Sequence, residues 1–222
     1  MLVDEAVVPA SAQVQRTRRL YRRFAPFYDA FRTIWSRWTR PVEEDLDRLF
    51  RQRIGPGARI LELAPGTGIN IERLLRCSPG FGSYLGIDSS EEMLARARTR
   101  SRGDERIDLR VGDATDLKDV ANSFDFVAST WLLSHLDAPA ATVRDALGKL
   151  APGGTAVFVF FTAPRSRLLH AALRALHGPF SYQLVDAEPI RELPGLEQLS
   201  TCAGGIATLA VFRAPAEPAS GH

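Results

Sequence analysis

Two acids and two glycines near the middle of the chain carry its sharpest chemical signal. Glu62 sits in the apolar run Ile60-Leu61-Glu62-Leu63, Gly66 and Gly68 follow in the turn Ala64-Pro65-Gly66-Thr67-Gly68, and Asp88 closes the next apolar run, Tyr84-Leu85-Gly86-Ile87. A glycine turn after a buried strand lets backbone approach a ligand where a Cβ would obstruct it. An acid at the end of the following strand, about 20 residues on, stands where a doubly wound sheet receives the hydroxyls of a ribose. The pattern predicts a nucleoside-bearing cofactor across the carboxyl ends of parallel strands. A dinucleotide favours G-x-G-x-x-G, whose glycines serve pyrophosphate approach and helix packing. Here Ala64 takes the first glycine position, Pro65 follows it, and Asn70 and Ile71 stand where the last glycine is expected, so a diphosphate ligand is disfavoured.

The stretch Glu62-Leu63-Ala64-Pro65-Gly66-Thr67-Gly68 resembles motif I of the class I S-adenosylmethionine (SAM) methyltransferases, and the resemblance continues in order along most of the chain. Gly86-Ile87-Asp88-Ser89-Ser90-Glu91-Glu92-Met93-Leu94 is similar to the second motif, Leu109-Arg110-Val111-Gly112-Asp113-Ala114 to the third, Phe124 to Thr130 to the fourth strand, and Leu150-Ala151-Pro152-Gly153-Gly154-Thr155 to the turn before the fifth. The resemblance implies SAM as cofactor and S-adenosylhomocysteine as product. It places Ala64, Gly66 and Gly68 at the methionine end, Asp88 on both ribose hydroxyls, Asp113 on the adenine amino group, and Ala114 against the ring. Met93 is either an adenine contact or ordinary core. Glu62 either holds the cofactor's ammonium indirectly or bonds loop amides. Ser89 is a cofactor-side residue and a candidate cap for the next helix, with Asp88 as the competing cap.

Chemistry is expected where the fourth strand ends, around Ser129, Thr130, Trp131, Ser134 and His135. Methyl transfer from a sulfonium is an in-line displacement, so alignment and exclusion of water are the main requirements. His135, in Leu133-Ser134-His135-Leu136, has the intrinsic pKa range for a base acting on a hydroxyl or protonated amine; the competing role is a structural cap on the following turn. Thr130 is assigned to the cofactor, and Trp131 and His135 to the acceptor. Residues 164–192 complete the acceptor pocket, with Phe180, Tyr182 and Gln183 as linings. His170 and His177, seven apart on an expected helix, are packing or surface residues.

Before the core, Tyr21 to Asp29 resembles a segment common in small-molecule methyltransferases, with Arg22 replacing the usual first acid. That resemblance implies Tyr21 at the acceptor and Tyr28 as a lid over the sulfonium end; the competing role for Tyr28 is on a helix packed against the sheet. Arg16, Arg18, Arg19, Arg22, Arg23, Arg32, Arg37 and Arg40 lie among Phe24, Phe27, Phe31, Trp35 and Trp38. They suit peripheral contact with anionic lipid, an anionic substrate, or a solvated face over buried aromatics.

The elements that must position these residues form an α/β fold: a Rossmann-like, doubly wound, mostly parallel sheet. Strands are expected at Ala58 to Leu63, Ser83 to Asp88, Ile107 to Val111, Phe124 to Thr130 and Thr155 to Phe161, and a helix from Thr67 to Cys77. A C-terminal antiparallel pair, Leu196 to Cys202 and Ile206 to Arg213, flanks Gly204-Gly205. The 222 residues, 45% of them hydrophobic, suit one domain over 14–214, with a helical lid over about 14–53 and loose ends at 1–13 and 215–222. A net charge of +2 predicts no nucleic-acid partner, and Cys77 and Cys202 no disulfide framework or metal cluster. No apolar run suits membrane insertion and no leader pattern opens the chain, so a cytoplasmic monomer or homodimer is expected. The leading function is methylation of a small-molecule acceptor, at O or N rather than C, in biosynthetic tailoring. Phospholipid N-methylation, SAM binding without methyl transfer, and nicotinamide oxidoreduction are the alternatives.

Overall fold

The computed structural model describes residues 39–164, 166 and 182–216. Tyr21, Tyr28, His170, His177, Phe180 and the arginine-rich stretch up to residue 38 lie outside the described residues. Strands β1 (Arg59–Leu63), β2 (Ser83–Asp88), β3 (Ile107–Val111), β4 (Phe124–Thr130), β5 (Leu150–Phe161), β6 (Leu196–Cys202) and β7 (Ala207–Arg213) form a seven-stranded sheet in the order β3-β2-β1-β4-β5-β7-β6. The first five run parallel, while β7 is antiparallel to both β5 and β6. The chain order reverses between β1 and β4, so the loops after these two strands flank the crevice where open α/β sheets bind ligands.

The central strands are apolar on both faces because both are covered. Ile60, Phe126, Val157 and Leu209 pack on one side, and Leu61, Val127, Phe158 and Phe212 on the other. Such two-sided burial produces continuous apolar runs in place of strict alternation. Glu62 is the exception in β1, an acid on the Ile60 face with a relative exposure of 1%. Edge strand β3 instead exposes Asp108 and Arg110, which pair with each other at 2.6 Å; charge on an edge discourages pairing with another chain.

Helix α1 (Arg40–Arg53) buries Val42, Leu46, Leu49 and Phe50, and Phe50 meets Phe126 of the sheet edge-on at 5.1 Å. Residues 40–53, expected within a cover over the cofactor, therefore belong to the helical layer on the sheet face. The first strand boundary and the last shift by one residue from expectation. More informatively, β5 begins at Leu150 and carries Pro152-Gly153-Gly154 inside it. Phe124 pairs with Leu150 and Phe126 with Thr155, so the extra residues form an irregularity where proline is tolerated. The β6–β7 connection is a short 3-10 turn, Ala203–Gly205, with Gly204 and Gly205 both at positive φ.

Candidate functional site

The turn after β1 and helix α2 (Ile69–Cys77) occupy the crevice. Helix α2 starts at Ile69, later than expected, because Gly68 has φ +83 and ends the turn in a left-handed conformation. The two glycines have separate reasons. A Cβ on Gly66, at φ +56, would meet nothing within 4 Å, which leaves open space beside the backbone. A Cβ on Gly68 would sit 2.8 Å from Ala97 Cα and 2.9 Å from its Cβ, so Gly68 is a packing glycine against helix α3 (Glu91–Arg100). Gly68→Ala combines left-handed strain with a clash against backbone, and should destabilise the fold by about 3 kcal/mol. In a chain of this size that lowers the melting temperature by roughly 6–12 °C, readable by calorimetry.

Ala64, which stands at the first glycine position of the dinucleotide pattern, also has positive φ, at 56°. An L-residue there carries about 1–2 kcal/mol of steric cost. Ala64→Gly should consequently raise stability by about 1 kcal/mol, measured by urea unfolding.

Asp88 ends β2 with an exposure of 7%. Its Oδ2 accepts from Gly66 N at 2.9 Å and its Oδ1 from Ser90 N at 2.9 Å. Burial pushes the carboxyl above its ordinary value, opposed by the Ser90 and Gly66 backbone bonds. An ionised carboxylate has about four lone-pair sites, and with the backbone N–H groups of Gly66, Ser90 and Ser89 acting on it, Asp88 keeps acceptor capacity for a further donor. The cap of α3 is Ser90, whose Oγ accepts from Met93 N at 3.2 Å, and neither Ser89 nor Asp88 has that role. Ser89 faces the cleft instead. Asp113 accepts from Thr115 N at 2.9 Å and from Thr115 Oγ1 at 2.7 Å, which fixes its carboxylate at the end of β3.

Two clefts, of about 390 and 320 Å³ and open to solvent, meet at Ala64. The larger brings together Ser89, Asp113, Ala114 and His135, with Leu132 and Leu136 as apolar walls. The smaller brings together Gly66, Thr130 and Trp131, with Asn70 at its edge. Met93 is buried and lines neither cleft, and Gly68 is likewise turned to its packing contact. Tyr182 stands further along the rim. Its ring lies 5.0 Å from Phe161, which lies 4.6 Å from Trp131, so three aromatics run away from the smaller cleft. Ser134 is fully buried and accepts from Phe161 N at 2.8 Å, while Gln183 N donates to Ser134 O at 2.7 Å. Those bonds tie residues 182–185 to the turn Leu132–His135 that carries His135. Gln183 itself serves this tie.

Glu62 does not bond loop amides. Its Oε2 accepts from Tyr84 Oη at 2.7 Å and its Oε1 from Asn70 Nδ2 at 2.7 Å. Burial raises the Glu62 carboxyl above its usual range, against the lowering effect of Tyr84, Asn70 and the Arg73 charge. Tyr84, Asn70 and Arg73 were not legible as site residues from motif spacing. A polar Asn70 between the apolar Ile69 and Ile71, with Arg73 three residues on, was the available signal.

The arrangement fits an adenosyl ligand better than a diphosphate one. Gly66 N is held by Asp88, and Gly68 N donates to Pro65 O at 2.9 Å, so two amides of the turn are already committed. A diphosphate at a helix start needs such amides. A ribose needs a carboxylate with spare acceptor sites, which Asp88 has, and a backbone cradle without a Cβ, which Gly66 provides. Among the described residues no group of three or more His, Cys, Asp or Glu could hold a metal ion. Burial, with Asp45, pushes the Cys202 thiol up to about 11.

Residues 61–158 match a family described as methyltransferase domain. The chain is 31% identical over 169 residues to phosphatidylethanolamine N-methyltransferase of Cereibacter sphaeroides, covering 71% of this chain and 80% of that protein. It is 29% identical over 164 residues to demethylmenaquinone methyltransferase of Symbiobacterium thermophilum, covering 70% of this chain and 62% of the relative, so it spans less than two thirds of that protein's length. In fold it is similar to N-methyltransferase NodS from Bradyrhizobium japonicum, solved with S-adenosyl-L-homocysteine, with a TM-score of 0.61 and 22% identity over 80% of this chain and 88% of that one.

Proposed function

Because the chain belongs to the class I SAM-dependent methyltransferases, we propose that it methylates an oxygen or nitrogen of a small-molecule acceptor carrying a flat or apolar body. The observation that carries this reading is the aromatic row Trp131, Phe161 and Tyr182, which begins at the smaller cleft directly after Thr130. Aromatic faces receive planar and apolar groups, and cations as well.

When bound, SAM supplies a methyl group on a positively charged sulfur. The residues of this chain then do the rest. Asp88 and Asp113 would hold the nucleoside from two adjacent strands, Ala64 and Gly66 would line its path, and Leu132 and Leu136 would give it apolar walls in the larger cleft. His135 lines the larger cleft, beside Asp113 and Ala114, and would act as a base only for an acceptor that reaches past Ala64 with a hydroxyl or protonated amine. Positioning alone lowers such a barrier substantially, so a base is an addition to the mechanism and not its foundation.

A second reading, N-methylation of an ethanolamine headgroup, is favoured by the relative at 31% identity, 80% of whose length this chain covers. Among the described residues no helix is long and apolar enough to cross a membrane. Incubation with methyl-labelled SAM and a panel of phenols, amines, demethylated quinones and ethanolamine phospholipid separates the readings. Label on a phenol or amine is the expected result. Label only on the phospholipid favours the second reading, and label on a quinone carbon moves the chemistry away from heteroatoms. Calorimetric SAM binding with no label on any acceptor favours a binding protein without transfer.

A further inference from the structure

Arg73 is a buried cation, 5% exposed, three residues beyond Asn70 on α2, and all three of its nitrogens are engaged. Nε donates to Asp47 Oδ1 at 2.7 Å, one terminal nitrogen donates to Glu43, and the other donates to Asn70 Oδ1. Its guanidinium also lies over the Phe50 ring at 5.7 Å. Glu43 and Asp47 stand four residues apart on α1, so the planar fork is clamped by the neighbouring helix before it reaches Asn70.

The contact with Asn70 decides which way the amide faces. With Oδ1 receiving a guanidinium N–H, the NH₂ must point the other way, and Nδ2 donates to Glu62 Oε1 at 2.7 Å and to Thr130 Oγ1 at 3.3 Å. One amide thus ties the acid of β1 to the hydroxyl at the end of β4, the two strands between which the crevice opens. A flipped amide would set its oxygen against the Glu62 carboxylate, which a buried site strongly disfavours.

We propose that Arg73 and Asn70 are positioning residues for the cofactor site, with Arg73 orienting the Asn70 amide so that it holds Glu62 and Thr130 at one spacing beneath the smaller cleft. Neither needs to touch the cofactor. The proposal rests on the reading of this crevice as the SAM site.

The test is calorimetric titration of SAM into the intact protein and into Asn70→Asp, Arg73→Lys and Arg73→Met, with melting temperatures in parallel. Asn70→Asp keeps the partner of Arg73 and the side-chain shape but replaces the donor to Glu62 with an acceptor. Its dissociation constant for SAM should rise at least about tenfold at pH 7.5, the loss of one good hydrogen bond to a charged group. The charged and titratable groups around the introduced acid are Glu62 with Tyr84 and Asp88 behind it, Arg73 on the same helix, and Glu43 and Asp47 of α1. Two facing carboxyls share a proton as pH falls, and that proton restores the bond. The affinity ratio of variant to unmodified protein should therefore move back toward one on acidification, a response that mere loosening of the fold would not give. Arg73→Lys keeps the charge without the fork and should bind between the unmodified protein and Arg73→Met. If Arg73→Met does not fold, the other two variants decide the matter. Binding of SAM by all folded variants within twofold of the unmodified protein overturns the relay alone. No SAM binding by the unmodified protein overturns the cofactor reading, and the relay with it.

Discussion

Asp88→Ala should weaken SAM binding at least about 100-fold, a loss of about 2.7 kcal/mol. The carboxylate has two duties that alanine cannot meet. It receives Gly66 N and Ser90 N, both at 2.9 Å, which shapes the turn and the start of α3. Its remaining acceptor capacity would go to the ribose, where a charge-assisted hydrogen bond contributes about 1.5–3 kcal/mol. Asp88→Asn is the informative companion. An amide offers only one oxygen, so its NH₂ must face either the Gly66 or the Ser90 N–H. Calorimetry should therefore show Asn closer to Ala than to Asp. Unchanged affinity in Asp88→Ala would remove the nucleoside from this end of the crevice.

The second large effect is on stability. Glu62→Ala should destabilise the protein by about 3–5 kcal/mol, because it opens a cavity and strips the acceptor from Tyr84 and Asn70 in a fully buried place. Glu62→Gln should cost far less, since its oxygen can accept from Asn70 while its NH₂ donates to the Tyr84 oxygen. The contrast is sharpened by pH. Burial raises the Glu62 carboxyl in the folded protein above its ordinary 4.5, so the native state binds this proton more readily than the unfolded chain does. The resulting stabilisation is fully present below pH 4.5 and is lost as pH rises through the raised native value. Asp88, raised in the same direction, adds to the same trend. Glutamine does not titrate, so urea unfolding across pH should show Glu62→Gln gaining on the unmodified protein from about pH 4.5 upward and then levelling. A constant difference at all pH values would mean that Glu62 is not the group responsible.

Strand placement was legible in the sequence because burial on both faces leaves uninterrupted apolar runs such as Ala156 to Phe161, punctuated by turn residues. The end of one such run also marked Asp88, since a polar residue after a buried strand needs a reason, whereas Asp113, after the exposed edge strand β3, was marked by the motif resemblance alone. What spacing could not provide was partnership across the chain. Arg73 reads locally as one more helical arginine, and only the packing of α1 on α2 reveals that Glu43 and Asp47 meet it. Gly68 carries the same lesson in reverse. Its place in the motif suggests ligand approach, whereas the nearest atoms to a Cβ there belong to Ala97, 29 positions away in the chain. The proline-glycine insertion of β5 was read as a turn before the strand because nothing local distinguishes a turn from a bulge that keeps the same strand partner.

The left-handed backbone at Ala64 bears on how this protein could be made hardier. Glycine is the cheaper occupant of that conformation, so a search for heat-resistant variants should find an easy gain at the wall shared by both clefts. Trp131, at φ 72, holds the same kind of conformation but has Phe161 stacked against it, and offers no such slack. At that wall, durability turns on a single methyl group.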